Sequence, residues 1–199
     1  MLAKIGLFYG STTAKTDAIA ELIRNEFGGG MVKSHCIAEA SKLDFAEYSY
    51  LIIGSPTWGI GKLQIDWEIF FPELDEIDFS GKQVAYFGLG DQVGYPYNFL
   101  DAMGILEEKI TSRGGIRIGS WSADGYDFKE SKALINARFN RLSNGSMNSL
   151  ESKLVQLAHG AGSVDGDFVG LAIDEDNQPH LTEERIKVWV SEIKKIIGI

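Results

Sequence analysis

The chain is poor in the residues that build metal sites and covalent cross-links. Its single cysteine, Cys36, excludes an intramolecular disulfide and leaves no basis for a cysteine-ligated metal. Its three histidines, His35, His159 and His180, are scattered and have no ligand spacing. No apolar run approaches the roughly 20 residues that a bilayer-spanning helix needs. Strand-like sequence begins almost at Met1, so no signal or transit peptide is expected in this chain, although a precursor could have carried one. Basic residues are also few: 19 Lys and Arg stand against 28 Asp and Glu, for a net charge of −9. Such a surface disfavours nucleic acid and anionic membranes and suits steering toward a basic protein partner.

What remains is enough for a folded domain. With 199 residues, 44% apolar and 24% charged, the chain reads as one α/β domain with a real core. Its organising stretch is Ile5–Ala20. An apolar, strand-type run stops at Gly10, and hydroxyls follow at Ser11, Thr12, Thr13 and Thr16. Apolar residues then return at helical spacing: Ala18, Ile19, Leu22 and Ile23. A strand thus feeds a short polar loop that opens a helix, and a helix N-terminus with unpaired N–H groups suits a phosphate. On this stretch alone, hydroxyls that merely cap the helix are an equal reading. A Walker loop is excluded because Ala14 stands where the second glycine belongs.

Strand and helix patterns go on alternating, which implies a parallel sheet with helices on both faces. Strands are expected at 4–9, 31–37, 50–54 and 83–88, with a last one that begins at 116–121, breaks off, and is followed by a strand-like run only at 168–173. Helices are expected at 16–27, through Trp67, Phe70, Phe71 and Leu74, through Ala102–Ile110, and at 182–197; 42–46 reads as a loop or a brief helix. Three loops follow the C-terminal ends of strands and so gather at one sheet edge, where ligands bind. They are Gly10–Thr16, Ser55–Gly61 and Gly88–Asn98. The second carries Trp58 and the third Tyr95.

Five segments together resemble the long-chain flavodoxins: Phe8–Thr13, Ile53–Trp58, Tyr86–Gln92, Trp121–Phe128 and Phe168–Gln178. The resemblance runs along nearly all of the chain outside 136–165. It implies a flavodoxin-like open five-stranded parallel sheet of order 2-1-3-4-5, with the last strand interrupted by a long insertion. It also implies one non-covalent FMN, passing single electrons through quinone, semiquinone and hydroquinone states. Carried over by position, the phosphate site falls on Ser11, Thr12, Thr13, Ala14, Lys15 and Thr16. Trp58 and Tyr95 would cover the two ring faces and Gly59 and Ile60 line the N5 edge, with Pro56, Thr57 and Gly61 also among the cofactor-binding residues. Leu89, Gly90, Asp91 and Gln92 would meet the pyrimidine side through backbone groups, with Asn98 nearby and Gly88 also cofactor-binding. Gly59 and Gly61 suggest a close approach of backbone to a ligand. Nearby acids such as Asp66, Glu68 and Asp91 would oppose an anionic reduced flavin.

The chain departs from the family pattern in places. Gly59 stands where many relatives carry Asn, Ala14 where they carry Gly, and Pro96-Tyr97 where an Ala-Asp pair is common. The excursion at 123–167 is much longer than the family's, with the surplus at about 136–165. Apolar spacing there predicts helices at 130–142 and 149–158, a hairpin able to meet a partner or a second copy. The implied partners are a ferredoxin/flavodoxin–NADP reductase-type flavoprotein and low-potential acceptors or a photosystem, reached through the acidic surface. The implied place is the cytoplasm, or a chloroplast stroma if a transit peptide was removed. An FMN-dependent NAD(P)H:quinone reductase, and a binding module that has lost FMN, are the competing readings.

Overall fold

The computed structural model describes residues 4–135 and 166–199. The predicted hairpin at 136–165 lies outside the described residues. The chain opens with β1 (Ile5–Tyr9), α1 (Lys15–Phe27), β2 (Val32–Cys36), α2 (Lys42–Ala46) and β3 (Tyr50–Pro56). Next come α3 (Ile65–Phe70), a 3-10 turn at Phe71–Glu76, β4 (Gln83–Leu89), α4 (Asp101–Ser112) and β5 (Ile116–Arg117). Short strands β6 (Trp121–Ser122), β7 (Leu134–Ile135), β8 (Asp167–Phe168) and β9 (Leu171–Ile173) precede α5 (Thr182–Ile197). The main sheet runs β2-β1-β3-β4-β5, all parallel, as expected.

The fifth lane of that sheet is filled twice. β5 pairs with the start of β4, Gln83 opposite Ile116, and β9 with its end, Phe87 opposite Leu171. The last strand is therefore interrupted: the chain leaves the sheet after β5 and returns to it at β9. Strands β6, β8 and β7 form a small antiparallel sheet at the root of this excursion.

Alternation along the strands divides the core. Leu7, Ile52 and Phe87 face α1 and α5, with Ile19, Ile23, Trp189 and Ile193. Their neighbours Phe8, Ile53 and Tyr86 face the opposite layer, with Trp67, Phe99 and Phe128. The period of two sends successive side chains to opposite faces, so each central strand is apolar throughout. The buried indoles are satisfied: Trp67 Nε1 donates to Gly54 O at 2.8 Å and Trp189 Nε1 to Gly119 O at 2.7 Å.

Several local expectations need correction. The helix through Trp67 stops at Phe70 and tightens into the 3-10 turn, whose second residue is Pro72. The stretch 42–46 needs none: of the two readings, loop or brief helix, it is the helix, opened by a capping box in which Ser41 N donates to Asp44 Oδ2 at 2.7 Å. Residues 130–135 of the predicted 130–142 helix are not helical. Lys129 N and Glu130 N both donate to Pro96 O, at 2.7 and 3.0 Å, and Leu134–Ile135 pair with β8. Over so few residues, apolar spacing fits a strand as well as a helix.

Tyr126 closes the excursion's root against the sheet: its hydroxyl donates to Ala172 O at 2.7 Å. Burial pushes its phenol from 10.0 up to about 12 and raises that of Tyr86 as well. A folded-state pKa above the unfolded one contributes stability below pH 10 that is lost as pH rises from 10 toward 12. The urea midpoint is therefore expected to fall across that window, and less steeply in Tyr126→Phe. An equal slope in the variant contradicts the assignment.

Candidate functional site

The ends of β1, β3, β4 and β9 converge on one cavity of about 360 Å³. One end belongs to the loop that opens α1. Thr13, Lys15 and Thr16 line the cavity there. The residue before the helix, Ala14, sits in the left-handed region at φ 61° and ψ −2°, and among the described residues no side chain caps the helix. The reading in which the hydroxyls merely cap α1 is thereby set aside. Left-handed backbone costs a residue with a Cβ about 1–2 kcal/mol, which accounts for the glycine expected at this position. Ser11 Oγ is buried and has no hydrogen-bond partner among the described residues. Thr12 Oγ1 accepts from Gln64 Nε2 at 3.2 Å.

The β3 loop forms the second wall, with Pro56, Thr57, Trp58 and Gly59 lining it. Trp58 and Lys62 exchange backbone hydrogen bonds at 2.9 and 2.8 Å, making a tight hairpin with Gly59, Ile60 and Gly61 at its tip. Both glycines have positive φ, 49° and 68°. Their roles differ. Among the described residues a Cβ on Gly59 would meet nothing within 4 Å, whereas one on Gly61 would lie 2.4 Å from Asp101 Oδ2 and 3.0 Å from Asn98 Nδ2. Gly61 thus makes room for the protein's own Asp101. Thr57 also faces α4: its Oγ1 accepts from Ala102 N at 3.2 Å.

The third wall is the β4 loop, with Leu89, Gly90, Asp91 and Tyr95 lining it. Trp58 is 41% exposed and Tyr95 51% exposed, so two aromatic rings stand open on facing loops. Gly88, Gln92 and Asn98 do not line the cavity. Gln92 is turned inward: its N and Nε2 donate to Asp174 Oδ2 at 3.2 and 2.7 Å, and its Oε1 accepts from Asp127 N. Asn98 is held by Asp101 at 3.0 Å. Ile60, Gly61, Ser11, Thr12 and Ala14 border the lining residues in sequence without lining it themselves.

Two lining residues escaped the sequence reading, Glu175 and Asp176, from the turn after β9. Lys15 Nζ reaches across to Asp176 Oδ1 at 2.8 Å, and that hydrogen bond holds the ammonium above the usual lysine range. The cavity wall carries three carboxylates, Asp91, Glu175 and Asp176, against the one ammonium of Lys15. The Gly94 N–H holds the Asp91 carboxyl below the usual range. Asp66, by contrast, binds Gln64 Nε2 at 2.6 Å in the first turn of α3. Gln64 was also missed, though a polar side chain just ahead of an apolar helix signals a cap: its Oε1 accepts from Asp66 N and Trp67 N. Among the described residues, no group of His, Cys, Asp and Glu could hold a metal.

A family model described as Flavodoxin matches residues 7–189. The chain belongs to the flavodoxin family. It is 51% identical over 199 residues to a flavodoxin of Nostoc sp., with all of both chains covered. It is 54% identical over 197 residues to one of Synechocystis sp., covering 98% of this chain and 99% of that one. Among solved structures, Fusobacterium nucleatum flavodoxin bound to flavin mononucleotide superposes with a TM-score of 0.79 at 30% identity, covering 98% of this chain and 99% of that one. The flavodoxin sheet order seen here is that of the family's doubly wound α/β fold, whose ligands sit beyond the strand C-termini.

Proposed function

We propose that the chain holds FMN in this cavity, with its phosphate at the start of α1 and its ring between Trp58 and Tyr95. The chain is an electron-transfer flavoprotein and not a substrate-transforming enzyme, and its partners are redox proteins. The observation that carries the placement is the pairing of an uncapped helix N-terminus, beside the orphaned Ser11 Oγ, with two exposed rings across one cavity. The donor set fits a phosphate: backbone N–H groups at the positive end of α1, with the hydroxyls of Ser11, Thr13 and Thr16 around them. The ring sites fit a large planar heterocycle with an exposed edge.

Bound FMN supplies reversible one-electron chemistry. The residues bind and tune it. Trp58 and Tyr95 stack on the ring and exclude water from its faces. Asp91, Glu175 and Asp176 place negative charge along the same wall, which disfavours added negative charge in the cavity. The Gly59 peptide, at φ 49° with open space around it, is free to turn its carbonyl toward the ring edge. Gly59→Val is therefore expected to lower the yield of one-electron-reduced flavin in a redox titration, while the flavin still binds. An unchanged yield contradicts the role of this peptide.

The finer assignments are also proposals. The acidic lip and the net charge of −9 suit a basic, NADP reductase-type flavoprotein and a low-potential acceptor or photosystem, in brief, salt-sensitive complexes. Residues 1–199 form one domain with 123–167 as an excursion that can meet a partner, and the protein works in the cytoplasm. Among the described residues no helix is long and apolar enough to cross a membrane. The decisive test is titration of the full chain with FMN, followed by flavin fluorescence. Quenching that saturates at one FMN per chain is expected. No quenching, or equal quenching by a Trp58→Ala, Tyr95→Ala variant, overturns the placement.

A further inference from the structure

Tyr95 stands on a loop, half exposed, yet a stacking ring needs a fixed position. The loop has little packing of its own: Val93 is 66% exposed, and Tyr97 60%. Lys129 N and Glu130 N hold its Pro96 carbonyl on one side, and a polar relay behind the cavity wall holds the turn that leads into Tyr95. Asp91 opens the turn, with its Oδ1 accepting from Val93 N at 3.0 Å and Gly94 N at 2.7 Å, and its carbonyl accepting from Tyr95 N at 3.0 Å. The same Oδ1 accepts from Asn177 Nδ2 at 2.8 Å, across 86 positions of sequence. That amide nitrogen also lies 3.1 and 3.0 Å from the two carboxylate oxygens of Asp174.

Asp174 is the fixed point of the relay. It is fully buried at the end of β9. It accepts from Gln92 N and Nε2 and from Asp176 N and Asn177 N, all N–H donors and none a cation. A buried carboxylate held in this way has one orientation, because each lost donor leaves a desolvated charge unmet. Asn177 thus connects a rigid anchor in the sheet to the turn that carries Tyr95. Among the described residues it makes the one hydrogen bond that ties the Asp91 carboxylate to another loop.

We propose that Asn177 is a positioning residue for flavin stacking, acting through Asp91 on the ring of Tyr95, with Asp174 as its anchor. This rests on the reading of the cavity as an FMN site with Tyr95 against the ring. Among the described residues Asn177 makes no hydrogen bond to the phosphate loop, and it reaches the cavity lining through Asp91 without lining the cavity itself. Its removal accordingly affects the ring and leaves the phosphate end unchanged.

The test is a double-mutant cycle on the full chain, read by fluorescence titration with riboflavin, which lacks the phosphate, and with FMN. Asn177→Ala is expected to weaken both ligands by a similar factor, about tenfold, leaving the FMN-to-riboflavin ratio of affinities unchanged. In a Tyr95→Ala background the same substitution is expected to change affinity by less than about twofold. Asn177→Leu keeps the approximate size and the backbone N–H to Asp174 and removes the side-chain donor without adding charge. It is expected to match the alanine variant, and it takes that variant's place in the cycle if the alanine chain melts early. Losses that multiply with Tyr95→Ala, a larger loss for FMN than for riboflavin, or unchanged affinities with a lowered melting temperature each overturn the proposal. A wild-type chain that binds neither flavin overturns instead the FMN reading beneath it.

Discussion

Replacing Trp58 and Tyr95 together by alanine is expected to abolish tight FMN binding while leaving the fold intact. Both rings are substantially exposed, so their removal opens no core cavity. Each stacking contact with a planar heterocycle is worth about 1–3 kcal/mol, so each single variant should lose roughly 5- to 150-fold in affinity. The double variant should lose close to the product if the rings act on separate faces. The melting temperature of the flavin-free chain should move little, and that contrast is the content of the prediction. Fluorescence titration beside a thermal melt measures both. A double variant that still binds FMN as tightly as the parent would place the flavin elsewhere.

A comparable loss, by an opposite route, is expected from Gly170→Ala. Gly170 lies just before β9, against the backbone of β4. A Cβ there would meet the Tyr86 carbonyl oxygen at 2.1 Å and its carbon at 2.6 Å. Neither atom can yield without disturbing β4, and β9 cannot retreat without losing its pairing with Phe87–Leu89. Overpacking of a well-filled interior typically costs about 1–3 kcal/mol, and a contact with backbone belongs at the upper end. For a chain of this size that is a fall of about 5–10 °C in melting temperature. FMN affinity should fall with it, because β9 carries Asp174 and the turn that bears Glu175 and Asp176. A variant that melts within a degree or two of the parent contradicts the tight β4–β9 contact.

These three positions differ in how legible they were in the sequence. The apolar run that stops at Gly10, the fully apolar β3 and the aromatic residues at Trp58 and Tyr95 are local patterns, and each ends where a strand must turn. The gathering of three loops at one edge and the span of α5 followed from them, and the sheet order from the family resemblance they carry. The interruption of the last strand was legible because the resumption at Phe168 lies far from Trp121. By contrast, Asp174, Asn177 and Gln92 carry no local mark. In sequence, Asp174–Gln178 reads as a solvated turn, and only pairing of β9 with β4 buries its first carboxylate. Gly61 is legible only in part for a similar reason: a glycine reports a close neighbour, here Asp101, without naming it. Residues 130–135 misled because six residues hold too little periodicity to separate a helix from a strand that finds its partner only at Asp167–Phe168.

The central claim, a one-electron carrier with FMN between Trp58 and Tyr95, is tested most directly by one spectrum. The full chain loaded with FMN is reduced stepwise by light, and its absorption is followed from oxidised to fully reduced flavin. Two separated one-electron steps, with a long-wavelength band that rises and then bleaches, are the predicted result. A single two-electron step, with no such band at any stage, would contradict the account.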